Sequence, residues 1–139
     1  VEKKYNKEFF SLIEEISELE YKGILTDQTE IYKVLNSYDL MAFPSYYQGE
    51  GFATVIVEAF ISGLPVLASR WKYNEEIITH EYNGLLFNVR NRDDLLIKLQ
   101  WISLNKDKIA KMRLNCLDDA MNYSPEKILY PVLKNVRGD

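Results

Sequence analysis

The chain has 139 residues, of which 47% are hydrophobic and 27% charged, and this balance excludes disordered, collagen-like and coiled-coil proteins. Seventeen basic and 21 acidic residues give a net charge of −4, which argues against a nucleic-acid partner. One cysteine and one histidine allow neither an intrachain disulfide nor a zinc site of the usual Cys/His type.

Strand-like and helix-like segments alternate along the chain, as judged from the spacing of apolar residues and the positions of turn and capping residues. The first predicted elements are a helix over Lys7–Ser17 capped by Asn6, a strand over Leu19–Lys22, a helix from Asp27 to Asn36, a strand over Leu40–Phe43 and a helix over Ala53–Ser62. The later ones are a strand over Pro65–Ser69, a short helix over Glu75–Ile78, a strand over Gly84–Phe87, helices over Asp93–Leu104 and Asp107–Asn122, and a last helix opened by Ser124-Pro125-Glu126 and kinked by Pro131.

The predicted strands are apolar on both faces, which is typical of a parallel sheet covered by helices on both sides. The fold class is therefore α/β, a Rossmann-like parallel sheet, in which Leu40–Phe43 and Pro65–Ser69 are expected to be central. Such folds normally open on a strand followed by a phosphate loop, whereas this chain opens on a helix. We therefore expect the first strand to be missing and the chain to be part of a larger protein.

The cellular location is predicted from two features of the sequence. No apolar run reaches the roughly 20 residues that a membrane helix needs, and the charged start is followed by no signal-peptide core. A single cysteine fits a reducing compartment. The expected location is the cytoplasm, where the full-length protein can also lie peripherally at the inner membrane face.

The loop that follows Leu40–Phe43 is the first candidate site, because ligands of open parallel sheets bind beyond the carboxyl ends of the strands. Its glycines allow close approach of a ligand to the backbone, and it leads into the amino end of the next helix. The unpaired N–H groups and dipole of that end favour an anion such as a diphosphate.

Two carboxylates flank this anion site, Glu50 before the helix and Glu58 along it. They would repel a diphosphate, so their expected task is to accept hydrogen bonds from hydroxyl pairs of sugars on either side. Glu58 lies in an apolar helix and is expected to be partly buried. A structural role, with Glu58 satisfied by an arginine or a backbone N–H, remains open at this point.

Other reactive residue types favour structural explanations. His80 is expected to be a loop residue and Cys116 to be inert within a helix. Tyr46 and Tyr47 could wall a pocket or lie on a surface turn. Asp93-Asp94 and Asp118-Asp119 are predicted to be helix-start and solvated charges. No Asp-x-Asp occurs, which weakens the case for a metal-bound diphosphate.

An ordered series of short motifs resembles the donor-binding half of family 4 glycosyltransferases, which have the GT-B fold. The series consists of Asp39, Phe43-Pro44-Ser45, Glu50-Gly51-Phe52, Glu58-Ala59, Gly63-Leu64-Pro65-Val66 and Asn83-Gly84-Leu85-Leu86. Glu50 and Glu58 occupy the two ends of the family's E-x7-E motif. A lone E-x7-E is weak, but the complete series in register is specific, and a weaker similarity extends over nearly all of residues 1–139.

The resemblance implies a retaining, metal-independent and cofactor-independent transfer of a sugar from a nucleotide sugar to an acceptor hydroxyl. In this family the first glutamate of the motif contacts the donor sugar and the second holds the ribose, which assigns Glu50 as catalytic and Glu58 as donor-binding. Backbone N–H groups of Gly51, Phe52 and Ala53 are expected to face the sugar and diphosphate.

The sequence also departs from the family pattern. Ala53 stands where glycine is usual, Lys72-Tyr73 stands where a Gly-Gly pair is common, and Tyr47-Gln48-Gly49 lengthens the loop. The acceptor-binding domain and the basic residues that grip the diphosphate have no counterpart in these residues. We therefore expect the missing amino-terminal domain of the same protein to be a partner, and the chain alone to be inactive.

Two other functions were weighed against this one. A signalling receiver needs a phosphoacceptor aspartate at the carboxyl end of a strand, but Asp39 precedes its strand and the other predicted strands end without an aspartate. A non-catalytic nucleotide-sugar binder, or a fragment of a GT-B isomerase, remains as the alternative.

Overall fold

The structure is a computed structural model that describes residues 6–129. Its helices are α1 (Asn6–Glu15), α2 (Gln28–Asn36), α3 (Thr54–Ile61), α4 (Asn74–Ile77), α5 (Arg92–Leu104) and α6 (Lys106–Ala120), followed by a 3₁₀ turn over Met121–Tyr123. Its strands are β1 (Met41–Phe43), β2 (Val66–Ser69) and β3 (Gly84–Phe87). Residues 125–129 are helical, as predicted, whereas the expected kink at Pro131 lies outside the described residues.

The chain divides into two compact units, with the boundary between Ile31 and Tyr32 inside α2. In the first unit Tyr21 packs edge-on against Phe9 and Phe10 of α1, with ring centroids 5.5 and 5.7 Å apart. The strand predicted over Leu19–Lys22 is wrong, because this segment is irregular. Its Tyr21 packs locally on α1, whereas a strand needs a neighbouring strand for its backbone.

The first two helices begin close to the capping residues predicted from the sequence. α1 includes Asn6, which was expected to precede the helix as its cap. The start of α2 agrees with the prediction, because the Asp27 carboxylate (Oδ1) accepts a hydrogen bond from the Glu30 N–H at 3.0 Å.

The second unit is built on a three-stranded parallel sheet in the order β1-β2-β3. Every residue of β2 and β3 is buried. The prediction that Leu40–Phe43 is central is wrong, because within residues 6–129 β1 pairs only with β2 and Ala42 is exposed. An apolar sequence indicates that the two faces of a strand are covered, but it does not indicate how many strands pair along its edges. Pro65–Ser69 is central, as predicted.

Helices cover both faces of the sheet, which confirms the predicted α/β class. On one face Ile56 and Phe60 of α3 pack with Val66, Ala68 and Leu86. On the other face the partners come from α5 and α6, and this cluster consists of Leu67, Leu85, Phe87, Ile109 and Met112 with Leu95 and Trp101 at its border. Among residues 6–129, no helix has the length and apolar character that a membrane span requires.

The turn between α3 and β2 ends the helix sharply and starts the central strand. Gly63 has φ +61°, its N–H donates to the Phe60 carbonyl at 2.9 Å, and the Leu64 N–H donates to the Ala59 carbonyl at 2.8 Å. This pair of bonds is a Schellman motif, which glycine favours because left-handed backbone is unfavourable for other residues. The predicted stop at Gly63 is confirmed.

Candidate functional site

Three loops leave the carboxyl ends of the three strands and are tied to one another by hydrogen bonds. The Ser69 hydroxyl donates to the Ser45 carbonyl, and the Trp71 indole N–H donates to the Tyr47 carbonyl at 2.8 Å. These two bonds join the loops after β1 and β2. The Arg70 N–H donates to the Phe87 carbonyl at 2.7 Å and joins the end of β2 to the end of β3. The carboxyl edge of the sheet therefore carries one connected set of loops.

Glu50 lies in the loop after β1 and is half-buried. The Ser45 hydroxyl donates to its carboxylate (Oε2) at 2.6 Å, and the Glu50 N–H closes a turn on the Tyr47 carbonyl at 3.1 Å. A carboxylate accepts more than one hydrogen bond, so these contacts orient the group and leave acceptor capacity for a ligand. Ser45 belongs to the Phe43-Pro44-Ser45 motif, but no role for it was predicted. Its position two residues after the strand, in the loop of the candidate site, is the signal that could have found it.

Glu58 lies in the second turn of α3 and is half-buried, as expected. Its neighbours Ile56, Ala59 and Phe60 are fully buried. Within residues 6–129 no side chain or backbone group forms a hydrogen bond or ion pair with the Glu58 carboxylate. The structural explanation left open by the sequence, a fixed arginine or backbone partner, is therefore absent from the described part of the chain.

The amino end of α3 offers backbone donors. In the described structure no protein acceptor is bonded to the N–H groups of Gly51, Phe52 and Ala53. No side chain caps the helix, and its first turn contains no acidic residue. Unpaired N–H groups at the positive end of a helix dipole attract an anion. The anion site predicted from the sequence is therefore chemically available here.

Phe52, half-exposed in this loop, packs on Tyr123, with ring centroids 5.8 Å apart. Burial raises the pKa of the Tyr123 hydroxyl, and the nearby Asp119 carboxylate raises it further to a smaller extent. The ring contact gives the loop a fixed wall from the carboxyl-terminal part of the chain. The sequence gave no signal for it, because the two residues are distant in sequence.

The loop after β2 contains two cations, Arg70 and Lys72. Arg70 forms an ion pair with Glu75 at 3.3 Å, and Lys72 lies over the Trp71 ring, with its ammonium 5.8 Å from the ring centroid. The amide of Asn74, which is 1% exposed, donates to the Ser69 carbonyl at 3.0 Å and anchors this loop.

The structural explanations for His80 and Cys116 are supported. His80 Nδ1 accepts a hydrogen bond from the Leu86 N–H at 2.9 Å, and burial lowers the pKa of this imidazole. Burial raises the pKa of the Cys116 thiol to about 12, so the reactive thiolate is scarce at neutral pH. Asp119 was predicted to be solvated, but it is half-buried and accepts a hydrogen bond from the Asn83 amide at 2.7 Å.

Two further features bear on ligands. Residues 6–129 contain no group of three or more acidic, histidine or cysteine side chains arranged to hold a metal ion. A cavity of about 380 Å³ lies near the amino end of β1, where Asp39, Ile109 and Arg113 contribute to its lining. The candidate site is at the other end of the strands.

Comparison with known proteins gives a family match. The family model described as glycosyl transferases group 1 matches residues 3–117. The N,N'-diacetylbacillosaminyl-diphospho-undecaprenol alpha-1,3-N-acetylgalactosaminyltransferase of Campylobacter jejuni is 27% identical over 107 residues, which are 77% of this chain and 28% of that protein. The UDP-Gal:alpha-D-GlcNAc-diphosphoundecaprenol alpha-1,3-galactosyltransferase of Escherichia coli is 27% identical over 96 residues, which are 68% of this chain and 24% of that protein. The chain thus spans between about a quarter and three tenths of these relatives.

Solved structures show the same fold. The Anabaena protein Alr3699/HepE, solved with UDP, has a TM-score of 0.85 at 23% identity, and the match covers 99% of this chain and 38% of that one. The carboxyl-terminal domain of LpcC, a glycosyl transferase group 1 protein of Francisella tularensis, has a TM-score of 0.73 at 22% identity over 87% of this chain. The chain therefore has the fold of a carboxyl-terminal GT-B domain, as the sequence motifs predicted.

Proposed function

Because the chain belongs to the glycosyl transferases group 1 family, we propose that it forms the donor-binding part of a retaining glycosyltransferase. The reaction is the transfer of a sugar from a nucleotide sugar to an acceptor hydroxyl. UDP is the first nucleotide to test, since the similar Anabaena protein was solved with UDP and the Escherichia coli relative is named for UDP-Gal.

One observation carries the proposal: the N–H groups of Gly51, Phe52 and Ala53, which have no acceptor in the described structure, lie along the chain between two half-buried carboxylates, Glu50 and Glu58. The N–H groups and the amino end of α3 hold the diphosphate. Glu50 accepts hydrogen bonds from hydroxyls of the transferred sugar and Glu58 from those of the ribose. This arrangement supports the roles that the family motif assigns.

Catalysis in this proposal is electrostatic. When the bond between the sugar and the diphosphate breaks, negative charge develops on the leaving nucleotide, and donors already oriented toward it stabilise that charge without further rearrangement. Glu50 orients the reacting sugar, and its own orientation is held by Ser45. In keeping with the family, the proposed transfer uses no metal ion or other cofactor.

The acceptor hydroxyl is supplied from outside these residues. We propose that a facing amino-terminal domain of the full-length protein presents the acceptor molecule that carries this hydroxyl. The basic groups that neutralise the diphosphate also come from outside these residues, and the family resemblance implies the first strand of the donor domain as their source. This part of the proposal is supported by the small share of each relative that the chain spans. The proposed location is the cytoplasm, with any membrane contact made through that other domain.

Saturation-transfer NMR of the full-length protein against a panel of nucleotide sugars tests this function. We expect saturation to pass to the ribose and sugar protons of at least one donor. In Glu58→Ala the signal from the ribose protons should be lost. Glu14→Ala, an exposed glutamate of α1, is the matched control and should keep the signal. Saturation transfer to no nucleotide sugar would contradict the proposal. Binding without sugar transfer to any acceptor would favour the non-catalytic binder.

A further inference from the structure

A second cavity lies at the carboxyl edge of the sheet, beside the loop that carries Glu50. It measures about 200 Å³ and is lined by Tyr46, Gln48, Trp71, Val89 and Arg90. Its walls come from the loops after β1, β2 and β3. The bond from the Trp71 indole to the Tyr47 carbonyl fixes the first two of these loops against each other. The family motif does not include any of these five residues, and the proposed donor site does not use them.

One cation, Arg90, lines this cavity, and three others lie within two residues of its lining residues in the sequence. Residues 70–72 and 90–92 together contain four cations and no carboxylate, in a chain whose net charge is −4. Arg70 is neutralised by Glu75. The Arg90 guanidinium lies over the Tyr46 ring at 5.2 Å, and the Lys72 ammonium lies over the Trp71 ring at 5.8 Å. Within residues 6–129 neither Arg90 nor Lys72 has a carboxylate partner.

The backbone at both cations is unusual. Lys72 has φ +51° and Arg90 has φ +58°, and in the described part of the chain Glu81 is the third non-glycine residue with a positive φ. The left-handed conformation is unfavourable for residues with a side chain, and such outliers cluster at functional positions. Two of the three outliers therefore coincide with cations that lack an acidic partner within residues 6–129.

We propose that this cavity is an acceptor subsite that binds an anionic group, a phosphate or a carboxylate, attached to the acceptor sugar. The proposal rests on the proposed function, which places the reacting donor sugar at the adjacent Glu50.

The lining fits this ligand. The guanidinium of Arg90 presents a planar set of N–H donors suited to an oxyanion. The Tyr46 and Trp71 rings, each with a cation over one face, add apolar surface to the lining, and the Gln48 amide provides a donor and an acceptor for hydroxyls. The volume is below the range of pockets that enclose a drug-sized ligand, which fits a single sugar or phosphate group rather than a whole nucleotide.

The test follows the Trp71 indole N–H by NMR in the ¹⁵N-labelled 139-residue chain, which has two tryptophans. The probes are inorganic pyrophosphate, glucuronate and, as the neutral control, glucose. We expect an anion to shift the Trp71 indole signal and glucose to leave it unchanged. A stronger response to pyrophosphate identifies a phosphate-bearing acceptor, and a stronger response to glucuronate identifies an acidic sugar.

Charge variants separate a specific site from general attraction. Arg90→Gln, which removes the one cation of the lining, should weaken anion binding about tenfold or more, the loss expected for a hydrogen bond to a charged group. Arg92→Gln removes the same charge two residues from Arg90, outside the cavity lining, and should change the affinity less than about twofold, as for a screened surface charge. An equal loss in Arg92→Gln would show diffuse attraction and overturn the proposal.

The same sample distinguishes this subsite from the donor site. UDP is added separately, and the amide signals of Gly51 and Phe52 report on the donor site. If UDP shifts those amides but no anion shifts the Trp71 indole, the subsite is refuted while the proposed function stands. If pyrophosphate shifts the Gly51 and Phe52 amides instead of the Trp71 indole, the anion belongs to the donor and the subsite is also refuted.

Discussion

At the residue scale, Glu50 and Glu58 differ in what holds them. Glu50 is fixed by the Ser45 hydroxyl at 2.6 Å, whereas Glu58 has no partner within residues 6–129. A half-buried carboxylate without a partner loses part of its hydration and gains when a ligand hydroxyl donates to it. In the proposed site Glu58 therefore contributes to binding, and the fixed Glu50 contributes to orientation of the reacting sugar.

Substitution of each glutamate in the full-length protein should separate these proposed roles. Glu58→Ala should weaken nucleotide affinity about 10- to 150-fold, because a hydrogen bond to a charged group contributes about 1.5–3 kcal/mol. Glu50→Ala should mainly lower the rate of sugar transfer. Calorimetry with nucleoside diphosphate and a transfer assay measure the two effects. Unchanged diphosphate affinity in a folded Glu58→Ala variant would refute the assignment.

The single histidine gives stability a predictable dependence on pH. Burial lowers the pKa of His80 from its usual 6.5, and the nearby positive charge of Lys98 is the second cause of this shift. The folded chain therefore binds this proton more weakly than the unfolded chain, so the contribution of His80 to stability is complete above about pH 6.5 and decreases as the pH falls below it. Protonation also removes the acceptor for the Leu86 N–H.

Urea denaturation between about pH 7 and about pH 5.5 measures this effect. The free energy of unfolding should decrease with falling pH in the natural chain and change less in His80→Asn, whose amide oxygen can replace the ring acceptor. An NMR titration of His80 with a midpoint at or above 6.5 would show that burial does not govern this group.

At the scale of elements, two glycines fix how α3, β2 and β3 meet. A Cβ atom added at Gly84 would lie 2.3 Å from the Val66 carbonyl oxygen of the neighbouring strand. At Gly63 the nearest atom to an added Cβ would be Leu117 Cγ at 3.3 Å, a close but tolerable contact. The main obstacle to a side chain at this position is the backbone φ of +61°. The two positions therefore need glycine for different reasons, close approach at Gly84 and backbone conformation at Gly63.

Alanine substitutions should reveal this difference. Gly63→Ala should lower the free energy of unfolding by about 1–2 kcal/mol, the cost of a left-handed residue. Gly84→Ala should lower it by about 3 kcal/mol or more, because backbone of the sheet must move. Urea denaturation of both variants gives the ranking, and a larger loss at Gly63 would contradict the packing described for β2 and β3.

Elements with strong local signals were predicted well from the sequence. The helix Ala53–Ser62 is α3 within one residue at each end, and β3 has the predicted bounds. The errors concern pairing, since Leu19–Lys22 forms no strand and Leu40–Phe43 lies at an edge of the described sheet. A short apolar run indicates burial, but its hydrogen-bond partners depend on residues far away in the sequence.

The candidate site shows the same division. The loop before α3 and its two glutamates were found from glycine, helix and motif signals. The contacts of Ser45, Trp71 and Tyr123 were not, because they arise where three loops and a distant turn meet. A residue's role in such contacts is set by the tertiary fold, and a single sequence does not contain that information in any local pattern.

At the scale of the whole molecule, the chain spans 28% of its Campylobacter relative and 24% of its Escherichia relative. Transfer requires an acceptor hydroxyl held against the donor sugar, and such positioning supplies about 7–11 kcal/mol of a reaction barrier in favourable cases. We expect the 139-residue chain to lack transferase activity while it retains weak nucleotide affinity. An assay beside the full-length parent, with the same donor and acceptor, tests this, and comparable rates would show that the chain is sufficient.

The most direct measurement of the central claim is a ¹H–¹⁵N NMR titration of the 139-residue chain with UDP. The claim is that the loop before α3 binds the donor, so the amides of Gly51, Phe52 and Ala53 should shift most, and Glu58→Ala should weaken the response. Shifts confined to the cavity at the amino end of β1, around Asp39 and Arg113, would contradict the account, and so would no shift with UDP or any other nucleoside diphosphate.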